Sequence, residues 1–122
     1  MDVLEAMGMD FSQLKQSTND SVVVQANYKK TAKPGEIIAV TLDVKNNGMH
    51  SISNMIGRSF SSASSLDGRM FYFGMLPPGQ KRSFSRLIIM PQMKGPCYFR
   101  IAFWSVAGVM KNNAIDLNVL IE

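Results

Sequence analysis

From Ser21 onward, apolar and polar residues alternate along the chain with a period of two. The segment "EIIAVTLDVKNN" is the cleanest case: Ile38, Val40, Leu42 and Val44 share one face, and Thr41, Asp43 and Lys45 share the other. Successive side chains of a strand point to opposite faces, so this pattern predicts a strand with one buried side. "QKRSFSRLIIM" likewise sets Phe84, Arg86, Ile88 and Met90 against Ser83, Ser85, Leu87 and Ile89. In "PCYFRIAFWSV", Phe99, Ile101 and Phe103 oppose Tyr98, Arg100, Ala102 and Trp104. "NNAIDLNVLIE" aligns Ile115, Leu117, Val119 and Ile121. The β-branched "SVVVQANY", the weaker "SISNMIGRSF" and the short aromatic "RMFYFGML" complete seven strand candidates. Turn residues separate them, notably "NNG" at 46–48 and the serine-rich "SSASSLDG". Seven short strands with turn signals between them predict an all-β, immunoglobulin-like antiparallel sandwich. No long helical pattern alternates with the strands, which excludes a parallel α/β fold.

Residues 2–16 follow a different period. Val3, Leu4, Met7, Phe11 and Leu14 recur at spacings near three and four, the stripe of an amphipathic helix. Asp2 with Glu5 resembles a capping box, while Gly8 weakens the helix. The polar "STNDS" breaks the pattern. The expected organisation is therefore an N-terminal helix and linker at 1–20 and a sandwich at 21–122. A chain that opens in a helix and closes inside a strand pattern is what a terminal domain cut from a larger protein would show.

Two Pro-Gly pairs, in "KPGE" and "PPGQ", each precede a strand. Proline presets φ for the first central position of a type II turn, and glycine supplies the positive φ of the second. A phosphate loop would need a helix N-terminus after the glycines. These pairs are read as turns.

The Pro-Gly-Glu turn, "IAVTLDVKNNG", "LPPGQ" and "RLIIMP" together resemble the skeleton of bacterial immunoglobulin-like adhesion-type domains, the CARDB-like class. The run "LDGRMFYFGMLPPGQKRSFSRLIIMP" is also similar to the β-sandwich appended to bacterial carboxyl-terminal processing proteases. The third similarity is to the ear, or appendage, of clathrin adaptors. The resemblance spans residues 21–122. It implies an accessory domain without catalytic residues or a cofactor of its own. For an excised bacterial accessory domain it implies a periplasmic or extracellular setting, whereas a full-length chain starting at Met1 would be cytoplasmic.

Composition narrows the chemistry. The 122 residues suit one domain. Cys97 is the single cysteine, so no intramolecular disulfide forms. The acidic start "MDVLEAMGMDFSQLKQ" lacks the basic region of a signal peptide, and no apolar run is long enough to span a bilayer as a helix. His50 is the only histidine and sits in a turn, so a thiol–imidazole pair with Cys97 is a weaker reading than a buried inert thiol. One histidine and one cysteine fall short of a structural zinc set. Ten methionines, among them "MGM" and "MPQM", read as adaptable core filler before they read as thioether copper ligands.

The net charge of +4 favours acidic partners, with nucleic acid a minor alternative. Lys29, Lys30 and Lys33 read as charges that protect a strand edge. Arg82, Phe84 and Arg86 alternate onto one face of a single strand, with Arg58 and Arg69 near the ends of neighbouring strands. Guanidinium groups grip carboxylates bidentately, and an aromatic between them offers an apolar floor. These five residues form the candidate partner-binding surface. The expected function is a non-catalytic module that docks a peptide or partner domain. A structural accessory domain of a processing protease or other enzyme is the alternative, and a basic nucleic-acid-binding domain the second. Trp104, on the penultimate strand, is expected to anchor the core beside Phe84 or neighbours of Phe99. Circular dichroism should show a β-dominated protein with at most about 15% helix; a helix-rich spectrum would overturn the fold.

Overall fold

The computed structural model describes residues 21–110 and 113–122. The helix expected over 2–16 lies outside the described residues. Nine strands follow in order: β1 (Val22–Tyr28), β2 (Thr31–Ala32), β3 (Ile37–Asn46), β4 (Ile52–Phe60), β5 (Met70–Leu76), β6 (Lys81–Ile89), β7 (Gly95–Ser105), β8 (Gly108–Val109) and β9 (Ile115–Ile121). The seven long strands are the seven read from the pattern. The two-residue strands β2 and β8 were too short to show periodicity.

The strands form two sheets, one in the order β1-β3-β6 and the other in the order β2-β9-β7-β4-β5, with β8 beside β7. Alternation decides which side chains meet between them. On β3, Ile38, Val40, Leu42 and Val44 are buried; on β7, Cys97, Phe99, Ile101 and Phe103; on β9, Leu117, Val119 and Ile121. Met55, Met90 and Met110 are also in this core, the filler role expected of flexible thioethers.

Both Pro-Gly pairs form turns. Glu36 N donates to Lys33 O at 3.0 Å and Gln80 N to Pro77 O at 3.1 Å. Gly35 and Gly79 take φ of 73° and 77°, the left-handed value a type II turn requires at that position.

The weak alternation of the fourth strand has a local cause. Asn54 adopts a φ of 52°, and the β4–β5 register shifts between Ile52 and Met55 and again between Met55 and Ile56. Such a bulge leaves an extra residue in one strand and reverses the inward–outward phase around it. After the bulge, Gly57 faces the core, where an added Cβ would lie 2.9 Å from the Phe103 ring.

The serine-rich loop is pinned rather than loose. Ser59 Oγ donates to Leu66 O and accepts from Arg69 N, while Ser61 N donates to Asp67 Oδ1. Leu66 plugs the core.

One expectation is corrected. Trp104 is half-buried on the outer face of β7, with its ring 5.9 Å from Phe60. Phe103, one position earlier, is the anchor between the sheets, fully buried and 6.2 Å from Phe73. Alternation along β7 forces this choice, because Trp104 shares its face with Tyr98 and Arg100. Phe103→Ala should cost about 3–5 kcal/mol. Trp104→Ala should cost about 1–2 kcal/mol, within the ordinary range for single substitutions. Urea unfolding midpoints of the two variants check the order; the reverse order would contradict this assignment.

Candidate functional site

Among the described residues, strand β6 lies at the edge of its sheet, with β3 as its only strand neighbour. Met90 N donates to Glu36 O and Asn46 N donates to Gln80 O. These bonds make the even-numbered residues of β6 the hydrogen-bonded partners of β3. In an antiparallel ladder the intervening residues then turn their N–H and C=O groups away from β3, here at Lys81, Ser83, Ser85, Leu87 and Ile89. The Lys81 carbonyl accepts a bond of 2.9 Å from the Arg82 guanidinium, so that edge group is satisfied by the strand itself.

The two faces of β6 differ. Phe84 and Arg86 point inward and are half-buried, and Ile88 closes the row in the core. Phe84 makes edge-on ring contacts with Phe71, Tyr72 and Phe73 of β5, at 6.1, 5.9 and 6.4 Å between centroids. Arg86 Nη1 donates to Met70 O at 3.3 Å. Together they bridge the open side of the sandwich between the β5 and β6 edges. The outer face carries Leu87 and Ile89, which are 70% and 52% exposed. Ile37 pairs directly with Ile89 across β3, Ala39 pairs with Leu87, and Ile37 is 58% exposed. A branched apolar patch therefore lies at one end of the strand, with Lys81 and Arg82 exposed at the other.

The five basic and aromatic residues read from the sequence fall in three places. Arg82, Phe84 and Arg86 share the inner face of β6, with Arg82 exposed at its rim. Arg58 lies on the outer face of the other sheet, 3.6 Å from Asp67 and 4.3 Å over the Phe60 ring. Arg69 holds the serine loop through Nε to Ser65 O at 2.9 Å. Arg86 reaches the backbone of Met70, the neighbour of Arg69 in the chain, but Arg58 faces away on the second sheet. Sequence reasoning missed Ile37, Leu87 and Ile89 as surface residues. Leu87 and Ile89 did sit in the polar phase of the β6 alternation, which was the available signal.

The lysines after β1 are engaged locally. Lys29 Nζ is 2.6 Å from Glu36 Oε2, and Lys30 Nζ lies 3.6 Å over the Tyr28 ring. His50 is exposed on the 47–51 loop and Cys97 is buried, where desolvation pushes the thiol pKa up. Among the described residues, no three His, Cys, Asp or Glu side chains gather to hold a metal. No described helix is long and apolar enough to cross a membrane.

Two surface carboxylates, the half-buried Glu36 and the exposed Asp116, titrate low. The Lys29 side-chain bond, helped by the Lys33 amide, holds the Glu36 carboxyl below its usual range. The two-point contact with Arg100 does the same for Asp116. A carboxyl depressed in the folded state stabilises the fold above the ordinary carboxylate range and loses that contribution as the pH falls through the folded value. Thermal midpoints should therefore fall on acidification below that range. The slope should be shallower in Glu36→Gln with Asp116→Asn, and flatter in high salt, since both pairs lie at the surface. An unchanged slope in the double variant would refute this origin.

Compared as a sequence, the chain matches no family model and no curated protein. Compared as a structure, it is similar to the CARDB domain of a Pyrococcus furiosus protein, in a solution structure at 13% identity and a TM-score of 0.67, covering 83% of this chain and 94% of that one. A crystal structure of the same domain in complex with di-metal ions aligns with a TM-score of 0.66 at 13% identity, over 82% of this chain and 91% of that one. A segment of red sea bream transglutaminase aligns with a TM-score of 0.65 at 16% identity, over 84% of this chain but 15% of that one. The fold of the described residues is that of a CARDB-like β-sandwich.

Proposed function

We propose that this domain is a non-catalytic interaction module that docks a peptide or a partner domain at a sheet face or edge. One observation carries the reading: Leu87 and Ile89 on edge strand β6 and Ile37 on the adjoining β3 are exposed together on the outer face of the sheet. Single exposed apolar residues are ordinary, but three branched ones in register at a sheet edge form a surface suited to a partner. A strand serving only its own sandwich would put polar residues there, as β6 does at Ser83 and Ser85. The likeness to a small segment of a transglutaminase supports a second reading, an accessory domain within an enzyme chain. In that case the same patch would face the enzyme's other domains.

The test is Ile37→Lys with Leu87→Lys, compared with the parent in affinity capture from a native lysate, with thermal midpoints measured alongside. Both positions are outward-facing, so the midpoint should move by no more than a few degrees, the scale of roughly 1 kcal/mol. Loss of captured partners at that stability is the expected result. An identical set of partners would overturn docking at this surface.

A further inference from the structure

We propose that the free edge of β6 takes up an extended acidic–apolar segment of a partner protein as an added antiparallel strand. The inference rests on the docking reading above and specifies its occupant and geometry. Strand addition needs an edge with unsatisfied backbone groups, accessible length and side-chain pockets that alternate along it. β6 supplies nine residues, about 30 Å at strand rise. No backbone group of Ser83, Ser85, Leu87 or Ile89 bonds outside the β3 ladder among the described residues.

The other edges are less suited. Beside β1, Asn113 Nδ2 donates to Val22 O and Asn118 N donates to the Tyr28 hydroxyl, tying that strand across to the second sheet. The β5 edge is interrupted by Gly74 at a φ of 69° and by the bulge opposite it. β2 has two residues.

Charge and register select the occupant. Lys81, Arg82 and Arg86 have no carboxylate partner among the described residues, whereas Arg58, Arg100 and Lys29 each do. A second copy of the chain fits poorly. Self-pairing centred on Ser85 would set Lys81 against Ile89 and Arg82 against Ile88 of the copy, leaving each cation opposite a branched apolar side chain. A partner segment running antiparallel meets Ile89 first and Lys81 last. Calling the residue opposite Ile89 position n, branched apolar side chains belong at n and n+2, beside Ile89 and Leu87 on the outer face. Position n+5 faces Phe84 in the narrow gap toward β5 and calls for a small side chain. Carboxylates belong at n+7 and n+8, one on each face, opposite Arg82 and Lys81. Position n+6 should stay neutral, because Asp43 lies just beyond Ser83 and is bonded to its hydroxyl.

The probe is a synthetic peptide, Ile-Thr-Val-Ser-Thr-Ala-Thr-Asp-Glu with blocked ends, titrated into the protein and followed by NMR or fluorescence anisotropy. Saturable binding with shifts concentrated on β6 is expected. Lys81→Glu with Arg82→Glu should weaken it at least about tenfold, and a peptide ending in Lys-Lys should bind that variant better than the acidic one. Backbone N-methylation at n+2 and n+4 removes N–H groups aimed at β6 and should abolish binding. The same modification at n+3 and n+5, where the N–H groups point away, should be tolerated. Absence of saturable binding at millimolar peptide, equal binding of the two methylated peptides, or indifference to the charge reversal would each overturn strand addition. If partners captured from lysate are still lost on Ile37→Lys with Leu87→Lys, docking at this face stands without it. If they are not, both readings fall.

Discussion

The side chain of Asn46 joins the two sheets. It is buried at the end of β3, and its Nδ2 donates to Leu76 O of β5 at 2.9 Å and to His50 O at 2.7 Å. Its Oδ1 accepts from Gly48 N at 2.9 Å. Its backbone serves the adjoining turn, accepting from Gly79 N at 2.6 Å and donating to Gln80 O at 3.1 Å. Apolar burial presses the sheets together but is non-directional and does not define their relative position. A buried amide with all its groups bonded is directional, and leaving any of those partners unpaired would cost about 1–3 kcal/mol each. Asn46 thus locates the first sheet against the second, and the Pro77–Gln80 turn sends the chain from β5 into β6.

That turn makes β6 an edge. The chain leaves β5 at the border of one sheet and enters β6 at the border of the other, so both open borders lie on one side of the sandwich. The interior of that side is closed by Phe84 among three rings and by Arg86 on Met70 O. Closure by side chains leaves the outward backbone groups of Ser83, Ser85, Leu87 and Ile89 unpaired among the described residues. The opposite side is closed by backbone: after β1 the chain crosses sheets, and β2 pairs in parallel with β9, with Leu120 N donating to Lys30 O and Glu122 N to Ala32 O. The asymmetry leaves the long open strand edge on the β6 side among the described residues.

Arginine chemistry shows how position sets role. Arg58, Arg69, Arg82 and Arg86 share one functional group. Arg58 stacks on Phe60 beside Asp67, and Arg69 and Arg86 hold carbonyls of neighbouring segments, which makes them part of the framework. Arg82 stays exposed next to Lys81. Of these four arginines it is the one that neither pairs with a carboxylate nor holds a carbonyl of another segment among the described residues.

The seven long strands were legible in the sequence because period-two burial is a local property: each residue's face follows from its neighbours'. Both Pro-Gly turns were legible too, since proline and glycine encode their own dihedral angles. The fourth strand was faint because the bulge at Asn54 breaks the phase. The expectation that Trp104 on the penultimate strand anchors the core failed because its phase along β7 sets it on the outer face and Phe103 on the inner one. What only the tertiary structure decided was pairing. No local pattern states that β1 and β2 belong to different sheets, that β6 has one strand neighbour among the described residues, or that Arg58 faces away from Arg86. Those facts depend on contacts between residues far apart in the chain, such as Asn113 with Val22 and Asn46 with Leu76. The exposed Leu87 and Ile89 lay between the two kinds of information. Their phase was readable, but whether that phase faced core or solvent was settled only when the second sheet packed against the other side.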